Sequence, residues 1–214
     1  RQNKTDELHL SDGRILERTY IPVFSGQTYL GHLWQYWDIT DRKKTMARLE
    51  HEAFHDPLTG LWNRRRFEQS LMETHEEAIR YSQPYSLVLV DIDHFKRVND
   101  QFGHDAGDVT LQILTDELRQ RLRQADRLAR WGGEEFLLLL PQTSLEGALL
   151  LANALRQRIK EVSFPLVGHL TISLGVAEVT PEELPHHALI RADKALFRAK
   201  TNGRDRVEAA ESGN

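Results

Sequence analysis

Acidic residues at the ends of apolar runs are the first candidates for chemistry in this sequence. Asp91 and Asp93 close the predicted strand YSLVLVDID, and Glu134 and Glu135 open the apolar run FLLLL. A carboxylate beside a buried strand is costly unless a cation or a donor lies next to it. Mg²⁺ prefers such hard oxygen ligands, and acids at the ends of neighbouring strands are typical of phosphoryl- or nucleotidyl-transfer sites. The DxD pattern alone also fits a surface turn, but the acidic pair favours a metal site.

The residues before the two glutamates predict a hairpin. Gly132 and Gly133 can form a tight turn between DRLARW and EEFLLLL, because glycine tolerates a positive φ. The second strand of this hairpin is expected to bring an acid next to Asp91, at the end of the sheet where α/β proteins bind ligands.

Cations and amides elsewhere could bind a nucleotide. Lys96 follows the acidic strand end, and Lys200 and Arg204 lie at the end of the last long helix, where the helix dipole alone would also explain them. Asn99 and Asp108 could together read a guanine edge, since Asp accepts from the ring N–H and the exocyclic amine while Asn donates to the carbonyl oxygen. Such a pair would reject adenine. The alternative for Asp108 is capping of the helix that starts near it.

Positioning these residues requires an α/β or α+β domain from Asp56 onward. Helices recur between strands along it, so helices should flank a central sheet. The predicted elements are, in order, helix RRFEQSLMETHEEAIRY, strand YSLVLVDID, helix GDVTLQILTDELRQRLR, the hairpin, helix SLEGALLLANALRQRIKEV, strand LTISLGVAEV, helix HALIRADKALFRAK and a short strand near DRVEAA.

Residues 1–40 read as strands of a separate region. The runs GRILERTYIPV and YLGHLWQYWDIT are rich in β-branched and aromatic residues and flank the turn FSGQ. So few strands cannot enclose a core of their own. The range resembles the C-terminal fragment of a PAS sensor domain, whose last strand commonly ends in DIT, and its aromatic residues are most simply explained by packing on the sheet.

Residues 41–55 are predicted to form a linker helix. Ile39, Met46 and Ala53 share one heptad position and Leu49 occupies another, which gives a short, imperfect coiled-coil pattern. The helix is therefore either a solvated linker or a dimerising signalling helix, and its place between two domains favours the second.

Composition narrows the function classes. The 214 residues are 40% hydrophobic and 28% charged, with a net charge of −4, which gives no general affinity for nucleic acid. The absence of cysteine excludes disulfides and thiolate metal sites and fits a cytoplasmic location, whether or not a parent protein is tethered to a membrane. No apolar run approaches the ~20 residues that span a bilayer, and the start at Arg1 is expected for a piece of a longer protein.

Residues 56–208 resemble the GGDEF domain, the diguanylate cyclase family, over essentially their whole length. The matching segments, in the family's order and spacing, are DPLTGLWNRRRF, DIDHFKRVNDQFGHDAGD, RWGGEEF, TISLGVA and ADKALFRAKTNGRDR. The signature reads GGEEF in this chain. Five motifs in order are much more specific than any one of them. Residues 209–214 would then be a tail.

The resemblance implies a ferredoxin-like palm domain with a central, mainly antiparallel sheet flanked by helices, as in nucleotide cyclases. It implies an enzyme that condenses two GTP into cyclic di-GMP and two pyrophosphates, with Mg²⁺, or Mn²⁺ in its place. Because one domain holds one GTP, two domains would have to face each other in a head-to-tail homodimer. No nucleic-acid partner is implied.

The resemblance also assigns roles by position. Asp91, the Ile92 carbonyl, Glu134 and Glu135 would hold the metal, and the three acids would form the catalytic set, with either glutamate as the base. Asp56, in the segment DPLTGLWNRRRF, is expected to tie the linker helix to the domain. The residues that would bind substrate are Phe95, Lys96, Asn99, His104, Asp108, Gly132, Gly133, Lys200 and Arg204.

A second site is implied just before the hairpin. Arg123 and Asp126 match the family's RxxD product-inhibition site, at the family's distance from the glycine pair. Arginine suits the guanine and phosphates of bound cyclic di-GMP as feedback inhibitor. A charged helix end would also explain the pattern, but the register favours the inhibitory site, with Arg156 or Arg158 as its second arginine.

Two other functions stay open at this point. One is a non-catalytic cyclic di-GMP receptor that uses only the RxxD site, and the other is a palm-type enzyme for a different nucleotide. The intact acidic, basic and guanine-reading sets favour the cyclase over both.

Overall fold

The computed structural model describes residues 4–180 and 182–211. Residues 1–3 of the predicted PAS-like range and residues 212–214 of the predicted tail therefore lie outside the described residues. The chain divides into two compact units, Arg1–Ala53 and Phe54–Asn214. No helix of the described chain combines the length and the apolar composition needed to cross a membrane.

The first unit contains an antiparallel sheet of three strands: β1 (Lys4–His9), β2 (Ile15–Ser25) and β3 (Thr28–Asp38), in that order. Both predicted runs form strands, and β1 adds a strand that the sequence pattern did not indicate. Much of the aromatic surface of this sheet faces outward, with Trp34 42% and Trp37 58% exposed.

Helix α1 (Thr40–Phe54) follows β3 directly. Thr40 donates to Asp38 Oδ1 from its backbone N (3.0 Å) and its hydroxyl (2.6 Å), and that hydroxyl accepts from Ile15 N (2.8 Å). Ile39 lies before the helix and is buried, so its predicted heptad position is wrong. Met46 and Leu49 are each more than half exposed, at 53% and 54%.

The second unit has a five-stranded sheet with the order β5-β6-β4-β7-β8. Only the β7–β8 pair is parallel, which confirms the mainly antiparallel, ferredoxin-like prediction. Its elements are α2 (Arg64–Tyr81), β4 (Tyr85–Ile92), α3 (Phe95–Phe102), α4 (His104–Arg119), β5 (Arg127–Gly132), β6 (Glu135–Leu140), α5 (Leu145–Glu161), β7 (Ile172–Val179), α6 (Pro185–Thr201) and β8 (Val207–Ala209). Of these, α3 was not predicted.

Helices cover both faces of this sheet. Val88, Val90 and Ile92 of β4 pack in a core with α3, α4 and α5, whereas Leu87 and Leu89 pack in a second core with α2 and α6. Side chains alternate along a strand, so Asp91 shares the face of Leu87 and Leu89. The carboxylate is therefore placed on the side of the sheet that α6 covers.

Close packing at Gly175 holds α6 on β7. A Cβ there would lie 2.1 Å from the Ala192 carbonyl oxygen and 2.3 Å from Leu196 N, so any side chain would push the helix off the strand. This contact fixes the height of α6 above the sheet, and with it the position of Lys200 in the last turn of that helix.

Candidate active site

Carboxylates from two strands meet at the end of β4. Asp91 pairs directly with Glu135 of β6 across the antiparallel ladder, and Glu134 occupies the turn before β6. Directly opposite side chains in such a ladder are about 5 Å apart at Cβ. Lys200 Nζ, from the last turn of α6, lies 2.7 Å from Asp91 Oδ2. The structure thus brings the three predicted acids and one predicted cation into one cluster.

The cluster has three carboxylates and one cation, Lys200, so its carboxylates repel one another. Burial raises the pKa of the Asp91 carboxyl; Lys200 opposes the rise, and Glu135 adds to it. Burial, followed by the charge of Asp91, likewise raises the pKa of Glu134. A hard divalent cation fits this donor set, because it would relieve the mutual repulsion of the carboxylates.

The side chains are not arranged as a ready metal cage. Among residues 4–180 and 182–211, no group of three or more His, Cys, Asp or Glu is positioned to hold a metal ion. Lys200 supplies the positive charge next to Asp91 instead. A metal ion at Asp91 would therefore compete with Lys200 for this carboxylate.

Asp93 has a different role from Asp91. Its Oδ1 accepts from Ser173 Oγ (2.7 Å), and its Oδ2 accepts from Thr171 Oγ1 (2.6 Å) and Asp205 N (3.0 Å). Both of its oxygens are thus engaged by hydrogen-bond donors. It anchors the loop before β8 to the end of β4.

The hairpin turn does not use glycine in the predicted way. Neither Gly132 nor Gly133 has a positive φ, although seven other glycines of the described chain do. A Cβ at Gly132 would lie 3.2 Å from Glu135 Oε2, and one at Gly133 would meet nothing within 4 Å. The positive-φ argument is therefore wrong for both glycines. A side chain would crowd Glu135 at position 132 and meet open space at position 133, and the approach of a nucleotide over this turn stays a prediction.

Arg130 ties this turn to the segment DPLTGLWNRRRF. Its Nε and Nη2 donate to the Gly133 carbonyl oxygen (3.1 and 2.7 Å), and its Nη1 donates to both Asp56 oxygens (3.2 Å each). Its backbone N also donates to the Trp62 carbonyl oxygen (2.9 Å). Asp56 is thus joined to the β5–β6 hairpin through one side chain.

Asn99 and Asp108, the predicted guanine-reading pair, lie where α3 meets α4. A Cβ at Gly107 would lie 2.0 Å from Asn99 Oδ1 and 3.3 Å from Phe95 Cζ, so Gly107 makes room for the Asn99 side chain. Asp108 follows Gly107, is exposed, and is the fifth residue of a helix that begins at His104. Capping therefore does not explain Asp108. Phe95 is a core residue, 5% exposed.

The remaining predicted substrate contacts lie at helix ends. Lys96 is exposed in the first turn of α3, and His104 is exposed in the first turn of α4. Arg204 follows α6 and, like Asp205, has a left-handed backbone, with φ of 59° and 46°. Asp205 accepts from Arg156 Nη1 (2.7 Å) and Lys160 Nζ (2.6 Å) of α5, which fixes the loop that carries Arg204.

The predicted inhibitory residues line a separate cavity of about 510 Å³. Asp126 Oδ2 accepts from Arg123 N (2.8 Å), and further arginines face the same cavity: Arg66, Arg119 and Arg127. Arg156 is not among the lining residues, and Arg158 is paired with Glu117. Arg156 supports Asp205 in this structure, and its assignment as the second arginine of the inhibitory site stays a prediction.

Comparison with known proteins agrees with this arrangement. Residues 53–206 match the family model described as diguanylate cyclase, GGDEF domain. The chain belongs to the GGDEF family. It is 42% identical over 193 residues to the diguanylate cyclase DgcM of Escherichia coli K12, an alignment that covers 86% of this chain and 47% of DgcM. The chain thus spans about half the length of this relative.

Solved GGDEF structures share the fold. The coiled coil and GGDEF domain of DgcB from Caulobacter crescentus, in complex with c-di-GMP, matches with a TM-score of 0.76 and 29% identity over 80% of this chain and 93% of that one. The active GGEEF domain of a diguanylate cyclase from Vibrio cholerae matches with a TM-score of 0.67 and 35% identity over 71% of this chain and 98% of that one.

Sequence reasoning missed three supports of the GGDEF site: Arg130, Gly107 and Asp205. Arg130 had a detectable signal, since it is a charged residue inside a predicted strand and two positions before the glycine pair. Gly107 and Asp205 had no such signal. Gly107 acts by leaving room for the Asn99 side chain, and Asp205 acts through Arg156 and Lys160, which are more than 40 positions away.

The Asp56–Arg130 pair predicts a pH-dependent stability. Burial alone would raise the pKa of the Asp56 carboxyl, but hydrogen bonds from Thr59 and the charge of Arg130 outweigh it and lower that pKa. A lowered pKa stabilises the fold above the unfolded value of about 4, and this contribution disappears as pH falls through the folded value. We expect Asp56→Asn to lower the free energy of unfolding by about 1–2 kcal/mol at pH 7.

Urea unfolding between pH 2.5 and 7 checks this expectation. The difference between Asp56→Asn and the parent chain should shrink below about pH 4. Asp116→Asn, at an exposed position of α4, serves as the matched control and should stay within about 0.5 kcal/mol. A pH-independent difference for Asp56→Asn would contradict the electrostatic explanation.

Proposed function

We propose that this chain is a diguanylate cyclase that condenses two GTP into cyclic di-GMP and two pyrophosphates. The observation that carries the proposal is the cluster of Asp91, Glu134, Glu135 and Lys200 at the shared end of β4, β6 and α6. Membership of the GGDEF family and the likeness to DgcM support the same reaction.

The acids would hold Mg²⁺, or Mn²⁺ in its place, together with the Ile92 carbonyl. A bound divalent ion polarises a phosphate and favours deprotonation of an attacking hydroxyl. Lys200 would then leave Asp91 and bind phosphate, alongside Lys96 and Arg204. This exchange uses the same lysine for two anions, which its flexible side chain permits.

The remaining residues position the nucleotide. Asn99 donates to the guanine carbonyl oxygen and Asp108 accepts from its N–H groups, which selects GTP over ATP. One of the two hairpin glutamates accepts the proton of the 3′-hydroxyl. The 3′-oxygen bonds to the α-phosphorus of the other GTP, and the bond to pyrophosphate breaks; a second, symmetric step closes the ring.

Two domains have to meet for this reaction, since each presents one GTP. We propose that α1 promotes a homodimer through Met46 and Leu49, which are exposed in the single chain. Dimerisation raises the effective concentration of one site near the other. The strands before α1 would be the C-terminal part of a PAS-like sensor, and a cytoplasmic location stays a prediction from the cysteine-free composition.

Incubation of the chain with GTP and Mg²⁺, followed by chromatography of the nucleotides, tests the proposal. The expected products are cyclic di-GMP and pyrophosphate, with GTP preferred over ATP in competition. Tight binding of cyclic di-GMP without turnover, even when the chain is dimerised artificially, would establish the receptor function instead. Turnover of ATP in preference to GTP would establish a different palm enzyme.

Product inhibition through Arg123 and Asp126 forms part of the proposal. We expect Arg123→Ala to raise the inhibition constant for cyclic di-GMP at least about 10-fold, because a charged hydrogen bond contributes about 1.5–3 kcal/mol. Progress curves should then reach a higher final product level. Arg121→Ala, an exposed arginine outside the cavity lining, is the matched control. Equal inhibition of both variants would remove this site from the proposal.

A further inference from the structure

A second groove borders the acidic cluster along the outer side of α6. It measures about 400 Å³, and its lining includes Glu135 and Lys200 at one end and Phe197, Lys194 and Asp193 along the helix. Phe197 is 66% exposed, and Ile190, two turns earlier on the same side of the helix, is 40% exposed. Single exposed apolar residues are ordinary, but an aromatic ring that continues into an active-site groove is not explained by the fold.

Two charges of opposite sign flank the aromatic ring. Asp193 and Lys194 precede Phe197 by four and three positions, so they lie on the adjacent turn of α6. Within residues 4–180 and 182–211 neither side chain makes a hydrogen bond or an ion pair, whereas Arg191 and Arg198 of the same helix are both engaged. Beside Phe197, α6 therefore presents an apolar ring flanked by one unpaired charge of each sign, Asp193 and Lys194.

We propose that this surface, formed by Asp193, Lys194 and Phe197, docks a second copy of the domain in the catalytic encounter. The inference rests on the proposed function, since only a reaction between two GTP-loaded domains requires another copy to approach Glu135 and Lys200. A two-fold axis through the surface would place Asp193 of one copy against Lys194 of the other and bring the two Phe197 rings together. The surface is thus complementary to itself.

The same features argue against a nucleotide as the occupant. The guanine-reading residues Asn99 and Asp108 are absent from the lining of the groove. Lys200 is the shared boundary between the nucleotide site and this docking surface.

Chemical cross-linking tests the docking without relying on turnover. The chain has no cysteine, so Lys194→Cys introduces a single thiol. With a non-hydrolysable GTP analogue and a short bis-maleimide, this variant should give a covalent dimer. Leu150→Cys, at a 69% exposed position of α5, should give little. Equal cross-linking of the two variants, or no dimer with Lys194→Cys, would overturn the proposal.

The second test measures the rate of cyclic di-GMP formation in variants with the charges at positions 193 and 194 reversed. Asp193→Lys and Lys194→Asp should each slow cyclic di-GMP formation, and the double exchange should restore it, because the complementary pair is rebuilt across the axis. Phe197→Ala should lower the rate about 10-fold at low protein concentration and less at high concentration, with analogue affinity unchanged. Loss of analogue affinity in Phe197→Ala would assign the groove to the nucleotide and refute the docking surface.

The two tests separate this inference from the proposed function. A parent chain that forms no cyclic di-GMP, yet cross-links through residue 194 in the presence of the analogue, would refute the cyclase and keep the docking surface. A parent chain that forms cyclic di-GMP, but shows no rescue by the double exchange, would keep the cyclase and refute the surface.

Discussion

Replacement of Asp91 by asparagine is expected to reduce cyclic di-GMP formation about 10³-fold without loss of the folded state. The carboxylate is 4% exposed at the end of β4, opposite Glu135, and is the acid that Lys200 neutralises. Asparagine keeps the shape of the side chain but removes the charge that the cation and the substrate complex require. Glu135→Gln should reproduce the loss.

Asp91→Asn should not lower the stability of the fold, although it lowers activity. Because burial raises the pKa of Asp91, the folded protein binds a proton there more readily than the unfolded chain does. The ionised form therefore costs stability at neutral pH, and that cost grows as pH rises through the folded pKa. Asp91→Asn removes it, so the thermal midpoint at pH 7 should be unchanged or higher.

Asp93→Asn is the matched contrast, two residues further on. Its carboxylate accepts three hydrogen bonds, and an amide would turn a donor toward donors. We expect it to destabilise the domain by about 1.5–3 kcal/mol. Rate assays and thermal unfolding of both variants test whether Asp91 acts in catalysis and Asp93 in stability. An inactive but stable Asp93→Asn, or an unfolded Asp91→Asn, would reverse the roles given to the two aspartates.

Substitution of Gly107 by alanine is the second prediction with a large effect. The new Cβ would lie 2.0 Å from Asn99 Oδ1, so the asparagine side chain has to move, whereas the backbone can stay. Asn99 is proposed to read the guanine carbonyl. We expect affinity for a GTP analogue to fall about 100-fold, and selectivity against ATP to fall with it, since the guanine carbonyl would lose its donor.

The fold should tolerate Gly107→Ala. Alanine favours a helix over glycine by about 1 kcal/mol, which offsets the displacement of Asn99 and the contact with Phe95. Gly147→Ala, at the third position of α5, is the matched control, because its Cβ would meet only Thr143 and Ser144 side chains at 3.2 Å and beyond. Asn99→Ala should mimic Gly107→Ala. Retained analogue affinity in Gly107→Ala would show that Asn99 does not contact the base.

The sheet and its helices could be predicted because their signals are local. An apolar run such as FLLLL ends at acids, and helical periodicity recurs between the strands. The same reasoning predicted that a hairpin acid would adjoin Asp91, and the register pairs Asp91 with Glu135. The roles of these acids in catalysis stay predictions until the variants are assayed.

The supports of the site could not be predicted in the same way. The ion pair of Lys200 with Asp91 joins residues more than 100 positions apart, and its geometry depends on how closely α6 packs at Gly175. The contacts of Asp205 with Arg156 and Lys160 depend on the left-handed backbone of Arg204 and Asp205, a conformation that no sequence pattern indicated. The contact of Arg156 with Asp205 was missed for that reason, since it is set by the backbone of a loop and not by the spacing of arginines.

The bond network of Arg130 has a consequence for excising the domain. Every residue proposed to touch substrate lies at position 91 or later, yet the hairpin turn is anchored through Arg130 to Asp56 and to the Trp62 carbonyl. A polypeptide that starts just before β4 would keep all the reactive groups and lose the anchor of the turn that carries Glu134. We therefore expect the shortest fragment that keeps this turn in place to begin upstream of Asp56.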